Sequence, residues 1–136
     1  MSNEMLEKGR AIRIEVLGAE RVKKALDDAD DFNRGFQEFM TEYCWGRCWG
    51  RTGLERKQRS LLNLGMLAAL NRPHEFRLHL LGALTNGVGL DEIREVLIQI
   101  AVYCGIPAGV EAFRIAREVF QEEGIDVSHM DSEGAD

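Results

Sequence analysis

The sequence lacks the features that place a chain in a membrane, on a nucleic acid or outside the cell. No stretch approaches the roughly 20 apolar residues of a membrane span, and residues 1–10 are charged, so we expect no signal peptide. The 17 basic and 23 acidic residues give a net charge of −6, without the basic stripe of a nucleic-acid binder. The odd count of three cysteines predicts reduced thiols in the cytoplasm.

Most catalytic signatures are also missing. There is no P-loop, dinucleotide fingerprint, G-x-S-x-G or H-E-x-x-H, and without a C-x-x-C the chain lacks the basic requirement for dithiol redox chemistry. Cys44 and Cys48 would share a helix face, but no second pair completes a zinc site. We therefore predict no metal, and favour thiols packed against Trp45 and Trp49.

What the sequence does contain is helical periodicity. No segment alternates with period two, and 45% of the residues are apolar, which predicts an all-α fold of about six helices. We expect one domain over residues 1–123 and a disordered polar tail over 124–136. The glycine- and tryptophan-rich segment 43–50 is interpreted as a turn or wall element. The predicted helices cover residues 4–17, a segment from about 32, 54–70, 73–86, 91–104 and 107–123, and residues 19–26 form a short helical turn.

The segment 71–87 organises this pattern. Pro73 favours the first turn of a helix and Gly87 its end. The predicted buried stripe of this helix consists of Phe76, Leu80, Ala83 and Leu84.

Polar residues border this stripe. Glu75 and His79 are four apart and share a neighbouring face, Arg72 precedes the helix, and Glu95 lies on the next one. Spacing alone leaves two interpretations open: a catalytic group, or an ordinary Glu75–His79 surface pair with Glu95 solvated or at an interface. The second half of helix 54–70 and the interior of helix 91–104 are apolar on nearly every side, which predicts a homo-oligomer.

Several interlocked motifs resemble the carboxymuconolactone decarboxylase family. The resemblance covers nearly the whole chain up to about Glu123 and includes part of the opening helix. Its motifs are Tyr43–Leu54, Arg59–Leu62, Met66–Arg72, Glu75–His79, Ala83–Val88, Asp91–Leu97 and Tyr103–Ala108.

The resemblance implies an alkylhydroperoxidase D-like fold assembled as a ring-shaped homo-oligomer, a hexamer. The implied activity is cofactor-independent decarboxylation of γ-carboxymuconolactone to β-ketoadipate enol-lactone in protocatechuate catabolism. One alternative is a thiol peroxidase-like oxidoreductase of the same fold, which is disfavoured because Arg72 and Glu75 stand at the positions of the peroxidase cysteines while His79 is retained. Another is a non-catalytic helical oligomer that binds a small organic acid.

For this reaction, the catalytic candidates are Arg72, Glu75, His79 and Glu95. Arg72 would grip a substrate carboxylate, and His79 would act as acid/base. Glu75 would orient the imidazole or keep it protonated, and Glu95 could do the same from the next helix.

The substrate-binding candidates lie upstream. Arg51 and Arg59 are weaker candidates for the carboxylate, and Trp45 and Trp49 would exclude water from the pocket. Arg47, Cys44 and Cys48 depart from the family pattern, and Arg47 could alter substrate preference if the two tryptophans line the pocket.

Overall fold

The computed structural model describes residues 3–131, in which all regular secondary structure is helical. The predicted all-α class is confirmed, although there are more elements than the expected six. None of the helices in this range has the length and hydrophobicity of a membrane span. The elements are α1 (Glu4–Leu17), α2 (Ala19–Asp27), α3 (Arg34–Met40), a π-helix (Thr41–Cys48), α4 (Arg56–Ala69), α5 (Pro73–Thr85), α6 (Leu90–Cys104) and α7 (Ile106–Glu122).

The chain divides into two compact units, an N-terminal unit (Met1–Arg59) and a C-terminal unit (Ser60–Asp136). The boundary falls within α4. The sequence-based expectation of one domain over 1–123 stays a prediction.

In the N-terminal unit, α1 and the π-helix approach too closely for a side chain at the contact. A Cβ atom on Gly9 would lie 2.0 Å from the carbonyl oxygen of Thr41, and one on Gly46 would lie 2.6 Å from that of Met5. Both distances are far below van der Waals contact, so these two positions require glycine for steric reasons.

This packing corrects the interpretation of segment 43–50, which is not a turn or wall element. Most of it belongs to the π-helix, which continues α3 without a break. Gly46 allows close approach to α1, and Trp45 and Trp49 point into the core instead of forming a wall. From the sequence, glycine in this segment is interpreted as the sign of a turn. In the structure, Gly46 instead allows two helices to pack closely.

A buried arginine also links α1 to α3 and the π-helix. Arg13 is 7% exposed, and its Nη1 donates to Oε1 of Gln37 and to Oγ1 of Thr41, each at 3.1 Å. These bonds satisfy part of a charged group that would otherwise be costly to bury.

In the C-terminal unit, α5 and α6 both pack against α7. Helix α5 begins and ends as predicted, with Pro73 in its first turn and left-handed residues on either side, Asn71 (φ 58°) and Gly87 (φ 85°). The core contains the predicted stripe, with Leu84 partly buried. Its buried residues are Leu64, Phe76, Leu80, Ala83, Val88, Ile93, Leu97, Ile100, Ala112, Ile115, Ala116, Val119 and Phe120.

The described part of the predicted disordered tail, residues 124–131, differs from that expectation. Ile125 and Val127 pack against the core of the C-terminal unit, and Nη1 of Arg94 donates to the carbonyl oxygen of Asp131 at 2.9 Å. Two apolar residues in a mostly polar segment are enough to cover the core edge. The remaining part of the prediction, 132–136, lies outside the described residues.

Candidate active site

His79 lies half-buried on α5 and is contacted by an amide from α4. Nδ2 of Asn63 is 3.4 Å from Nδ1 of His79, which is a long hydrogen bond. With the amide in this orientation its NH₂ group donates, which matches the neutral tautomer with Nδ1 as acceptor and the proton on Nε2. Asn63 is thus the polar neighbour of Nδ1.

The charge state of His79 is set by two opposing effects. Burial lowers the pKa of His79 from 6.5, while the negative charge of Glu75 raises it. Burial is the larger effect, so the imidazole is mainly neutral at pH 7. Glu75 itself is exposed, one helical turn before His79. The structure thus brings together two of the predicted catalytic residues.

Arg72 lines a separate groove of about 350 Å³ at the start of α5. Its Nη1 donates to the carbonyl oxygens of Leu70 and Asn71 at 3.2 and 3.4 Å. The volume is within the range of small-molecule sites, but Glu75 and His79 lie outside the lining. The other residues that line the groove include Leu67, Phe76, Cys104, Pro107, Glu111 and Ile115.

Glu95 is exposed on α6, a helix that packs on α7. This position agrees with either alternative left open by the spacing, a solvated carboxylate or an interface contact. A catalytic role for Glu95 therefore stays a prediction.

The two predicted pocket tryptophans form part of the N-terminal core. Trp45 and Trp49 are 3% and 4% exposed and pack with Ile12 and Val16. Their rings are stacked, with centroids 5.0 Å apart and planes inclined by 25°. Within this unit they therefore have a packing function, and their role in excluding water from a substrate stays a prediction.

Arg51 and Arg59 are held near each other in the same unit. Nη2 of Arg59 donates to the carbonyl oxygen of Arg51 at 3.2 Å, and Nη1 donates to Sγ of Cys48 at 3.7 Å. Arg51 is exposed and lines an open groove of about 620 Å³ together with Trp49 and Arg56. The lining also includes Lys8 and Glu55, and Arg56 forms an ion pair with Glu15.

Comparison with known proteins identifies the family of the chain. Residues 34–118 match the Carboxymuconolactone decarboxylase family, which is more than half of the chain. The chain belongs to this family. The matched segment of the family includes every predicted site residue, namely Trp45, Trp49, Arg51, Arg59, Arg72, Glu75, His79 and Glu95.

Curated relatives support the family assignment. The chain is 41% identical to 4-carboxymuconolactone decarboxylase from Acinetobacter baylyi over 88% of this chain and 89% of the relative. It is 42% identical to nitrosuccinic acid decarboxylase from Metarhizium robertsii over 90% of this chain and 85% of the relative. It is also 36% identical to an uncharacterized protein from Paracoccus denitrificans, over 62% and 64% of the two chains. The predicted carboxymuconolactone decarboxylase-like, alkylhydroperoxidase D-like helical class is confirmed.

In this family member, sequence reasoning missed Asn63, the partner of His79. Asn63 is a polar residue in the otherwise apolar stretch 61–70 of α4, and that exception was the available signal. A second missed pair joins the same helix to the end of α5, where Nδ2 of Asn86 donates to Oγ of Ser60 at 2.9 Å. Ser60 is fully buried, so this bond fixes the start of the α4 segment that carries Asn63.

The part of the chain that the structure describes contains no cluster of metal-binding side chains. Within residues 3–131, no three His, Cys, Asp or Glu side chains cluster so that they could hold an ion. The cofactor-independent reaction expected from the sequence stays a prediction. His79 and Glu75 supply an imidazole and a carboxylate for proton transfer, and Arg72 supplies a guanidinium for anion binding in its own groove.

Proposed function

We propose that this protein is a decarboxylase that converts γ-carboxymuconolactone into β-ketoadipate enol-lactone and CO₂ in protocatechuate catabolism. The observation that carries the proposal is the 41% identity to 4-carboxymuconolactone decarboxylase over nearly the full length of both chains. The half-buried His79 with its Asn63 and Glu75 neighbours supports it from the structure. We further propose that the reaction takes place in the cytoplasm.

The substrate supplies its own electron acceptor. It is an unsaturated lactone with a carboxylate on the γ-carbon and an acetate arm. When CO₂ leaves, the electron pair of the broken bond moves through the ring double bond to the lactone carbonyl. The protein then has to bind a dianion, stabilise the oxyanion and deliver a proton to the ring.

His79 is the proton carrier in this proposal. In the free protein its imidazole is mainly neutral, because burial lowers its pKa. The bound dianion adds negative charge beside the ring, which raises the pKa and loads a proton from water. His79 then donates this proton after CO₂ has left. Glu75 acts in the same direction as the substrate charge, and Glu95 is a weaker candidate for that effect.

Binding of the two substrate carboxylates is assigned to arginines. Arg72 lines a groove in the C-terminal unit and is the first candidate, since a guanidinium binds a carboxylate through two hydrogen bonds. Arg51 and Arg59 are secondary candidates. Trp45 and Trp49 are proposed to exclude water from the reacting centre.

We also propose that the protein works as a homo-oligomer, a hexamer. Many apolar side chains on or next to α4, α6 and α7 are exposed, which supports association with further copies because large exposed apolar areas mark protein–protein contacts. The exposed set includes Leu62, Met66, Leu70, Ile98, Val102, Tyr103, Ile106, Val110 and Phe113.

A second candidate substrate is nitrosuccinic acid. The identity to nitrosuccinic acid decarboxylase is 42%, as high as that to the lactone decarboxylase. Nitrosuccinic acid is also a dianion, and its nitro group can accept the electron pair that CO₂ leaves behind. An arginine that binds a carboxylate and an imidazole that donates a proton are suited to both decarboxylations. The shape of the pocket then determines which of the two substrates is preferred.

The test is an absorbance assay with freshly generated γ-carboxymuconolactone, no added metal or nucleotide, and a chelator. We expect enol-lactone and CO₂ to form at a rate that the chelator does not change. A parallel assay with nitrosuccinic acid gives the ratio of the two kcat/KM values. Preference for the nitro acid would replace the lactone proposal. Binding of either acid without turnover would instead indicate a non-catalytic protein.

His79→Ala tests the proton carrier. We expect kcat to fall by ~10²–10⁴-fold, with helix content and oligomer size unchanged by circular dichroism and size-exclusion chromatography. His74→Ala is the matched control, because His74 lies on the same helix and is exposed. If the His79→Ala enzyme kept the turnover of the His74→Ala enzyme, the assigned role would be wrong.

A further inference from the structure

The N-terminal unit contains a cluster of two thiols and two guanidinium groups that decarboxylation does not explain. Cys44 and Cys48 lie in the π-helix, at positions that share one face, and they interact electrostatically. The charge of Arg13 acts on Cys44, whose pKa it lowers against the larger effect of burial. Arg59 makes a direct contact with Cys48.

Cys48 has the surroundings of a reactive cysteine. Its side chain is exposed, and Nη1 of Arg59 lies 3.7 Å from its Sγ. The same guanidinium is fixed by a second hydrogen bond to the carbonyl oxygen of Arg51 at 3.2 Å. Reactive cysteines are found in partly exposed, electropositive sites of this kind, because the thiolate is the nucleophile.

Cys44 is suited to the complementary role. It is partly buried and packs against the core that contains Trp45 and Trp49. Burial raises the pKa of Cys44 to about 11, with a further increase from Cys48 and an opposing effect of Arg13. Cys44 therefore stays a protonated thiol while Cys48 reacts first, and it has to lose its proton when it attacks the oxidised Cys48.

We propose that Cys48 and Cys44 form a peroxide-sensitive thiol pair, in which Cys48 is oxidised first and Cys44 then closes a disulfide with it. This modification site is separate from the peroxidase cysteine positions of the superfamily, where Arg72 and Glu75 stand. It also does not depend on the decarboxylase proposal, because hydrogen peroxide or an organic hydroperoxide is the only co-reactant.

The reaction balances in two steps. The Cys48 thiolate attacks the distal peroxide oxygen, the O–O bond breaks, and sulfenic acid and an alkoxide or hydroxide form. The Cys44 sulfur then attacks the sulfenic sulfur, an S–S bond replaces the S–OH bond, and water leaves with the thiol proton. Both sulfurs are oxidised and the peroxide is reduced.

Disulfide closure requires a local change in the helix. Cβ atoms four residues apart on a helix are ~5–6 Å apart, whereas a disulfide needs ~3.5–4.5 Å. Cys48 is the last residue of the π-helix. Unwinding this end breaks the backbone hydrogen bonds from Trp49 N–H to the Cys44 carbonyl and from Arg51 N–H to the Cys48 carbonyl. The change would alter the neighbouring Trp45–Trp49 stack and remove the sulfur contact of Arg59.

The experiment treats the reduced full-length protein with hydrogen peroxide and maps the products by peptide mass spectrometry. We expect a Cys44–Cys48 disulfide and a shift in tryptophan fluorescence that dithiothreitol reverses. In Cys44→Ser, Cys48 should instead be trapped as sulfenic acid by dimedone. Cys104→Ser is the matched control and should give the same disulfide as the wild type. Arg59→Gln should slow the oxidation of Cys48 several-fold.

Three results would overturn the proposal. The first is oxidation of Cys48 no faster than that of the exposed Cys104 in the same sample. The second is no dimedone adduct at Cys48 in folded Cys44→Ser, checked by circular dichroism. The third is a wild-type product without the Cys44–Cys48 bond. Since none of these results depends on lactone turnover, they leave the proposed function untouched.

Discussion

At the scale of single residues, the proposed chemistry depends on His79 and the groups around it. Burial favours the neutral imidazole, while Glu75 favours the charged form. Asn63 lies 3.4 Å from Nδ1. A proton carrier needs a pKa that substrate binding can move across the working pH, and the proposal assigns this property to His79.

We expect His79 to titrate below pH 6.5 in the free protein, and Glu75→Gln to lower its pKa further because a charge that stabilises the imidazolium is lost. The measurement is an NMR titration of the imidazole resonances, assigned with His79→Gln. A His79 pKa above 6.5 in the wild type, or a higher His79 pKa in Glu75→Gln, would contradict the assigned effects of burial and of Glu75.

The same shift gives the sign of a stability change. A histidine whose pKa is lower in the folded chain binds protons preferentially when unfolded. Its contribution to stability is therefore complete above the unfolded pKa of about 6.5 and is lost as the pH falls through the folded pKa. Urea unfolding at several pH values should show a smaller decrease between pH 7.5 and 5 for His79→Gln than for the wild type.

At the scale of elements, the contact between α1 and the π-helix determines how the core of the N-terminal unit is packed. Two glycines allow the backbones to touch, and the side chains of Ile12, Val16, Trp45 and Trp49 close the core beside them. An α-helix running straight on from α3 would turn these indoles by a different angle per residue, so the wider π-helical turn is part of the packing.

Gly9→Ala should lower the free energy of unfolding by about 3 kcal/mol, because its Cβ atom would lie 2.0 Å from a backbone oxygen that cannot move aside cheaply. Urea denaturation at fixed protein concentration measures the change. Gly35→Ala is the control, since a Cβ atom there meets nothing within 4 Å, and its effect should stay below about 1 kcal/mol. Equal effects of the two substitutions would mean that the contact is not tight in solution.

At the scale of the whole molecule, the exposed apolar side chains support the proposed homo-oligomer. Val102 and Tyr103 at the end of α6 are 70% and 82% exposed, and Ile106 and Val110 on α7 are 67% and 64% exposed. These four residues belong to the C-terminal unit and are named here the C-terminal apolar strip.

Val102→Glu should therefore reduce the mass of the assembly, because a carboxylate in an apolar interface loses its hydration without gaining a partner. Analytical ultracentrifugation measures the mass, and circular dichroism confirms that the helices remain. Lys23→Glu is the control, since Lys23 is exposed on α2 and should leave the assembly unchanged. An assembly of unaltered mass in Val102→Glu would exclude this strip as the interface.

Much of this organisation could be predicted from the sequence because it follows local rules. Pro73 at a helix start and Gly87, Gly105 and Gly124 after helix ends act through their own backbone angles. The buried stripe of α5 follows from periodicity. Arg72, Glu75 and His79 could be named because a polar residue next to an apolar stripe is visible in a single sequence.

Only the tertiary structure showed the features that depend on neighbours distant in sequence, namely contacts between helices and the burial of side chains. Asn63 is 16 residues from His79, and only the packing of two helices joins them. Gly46 looks like a turn residue until α1 lies against it. Trp45 and Trp49 stack in the N-terminal core, and the residues they pack with, Ile12 and Val16, lie on a helix distant in sequence. Backbone angles are a property of a residue and its immediate neighbours, whereas burial, close approach and pKa are properties of a site that several segments build together.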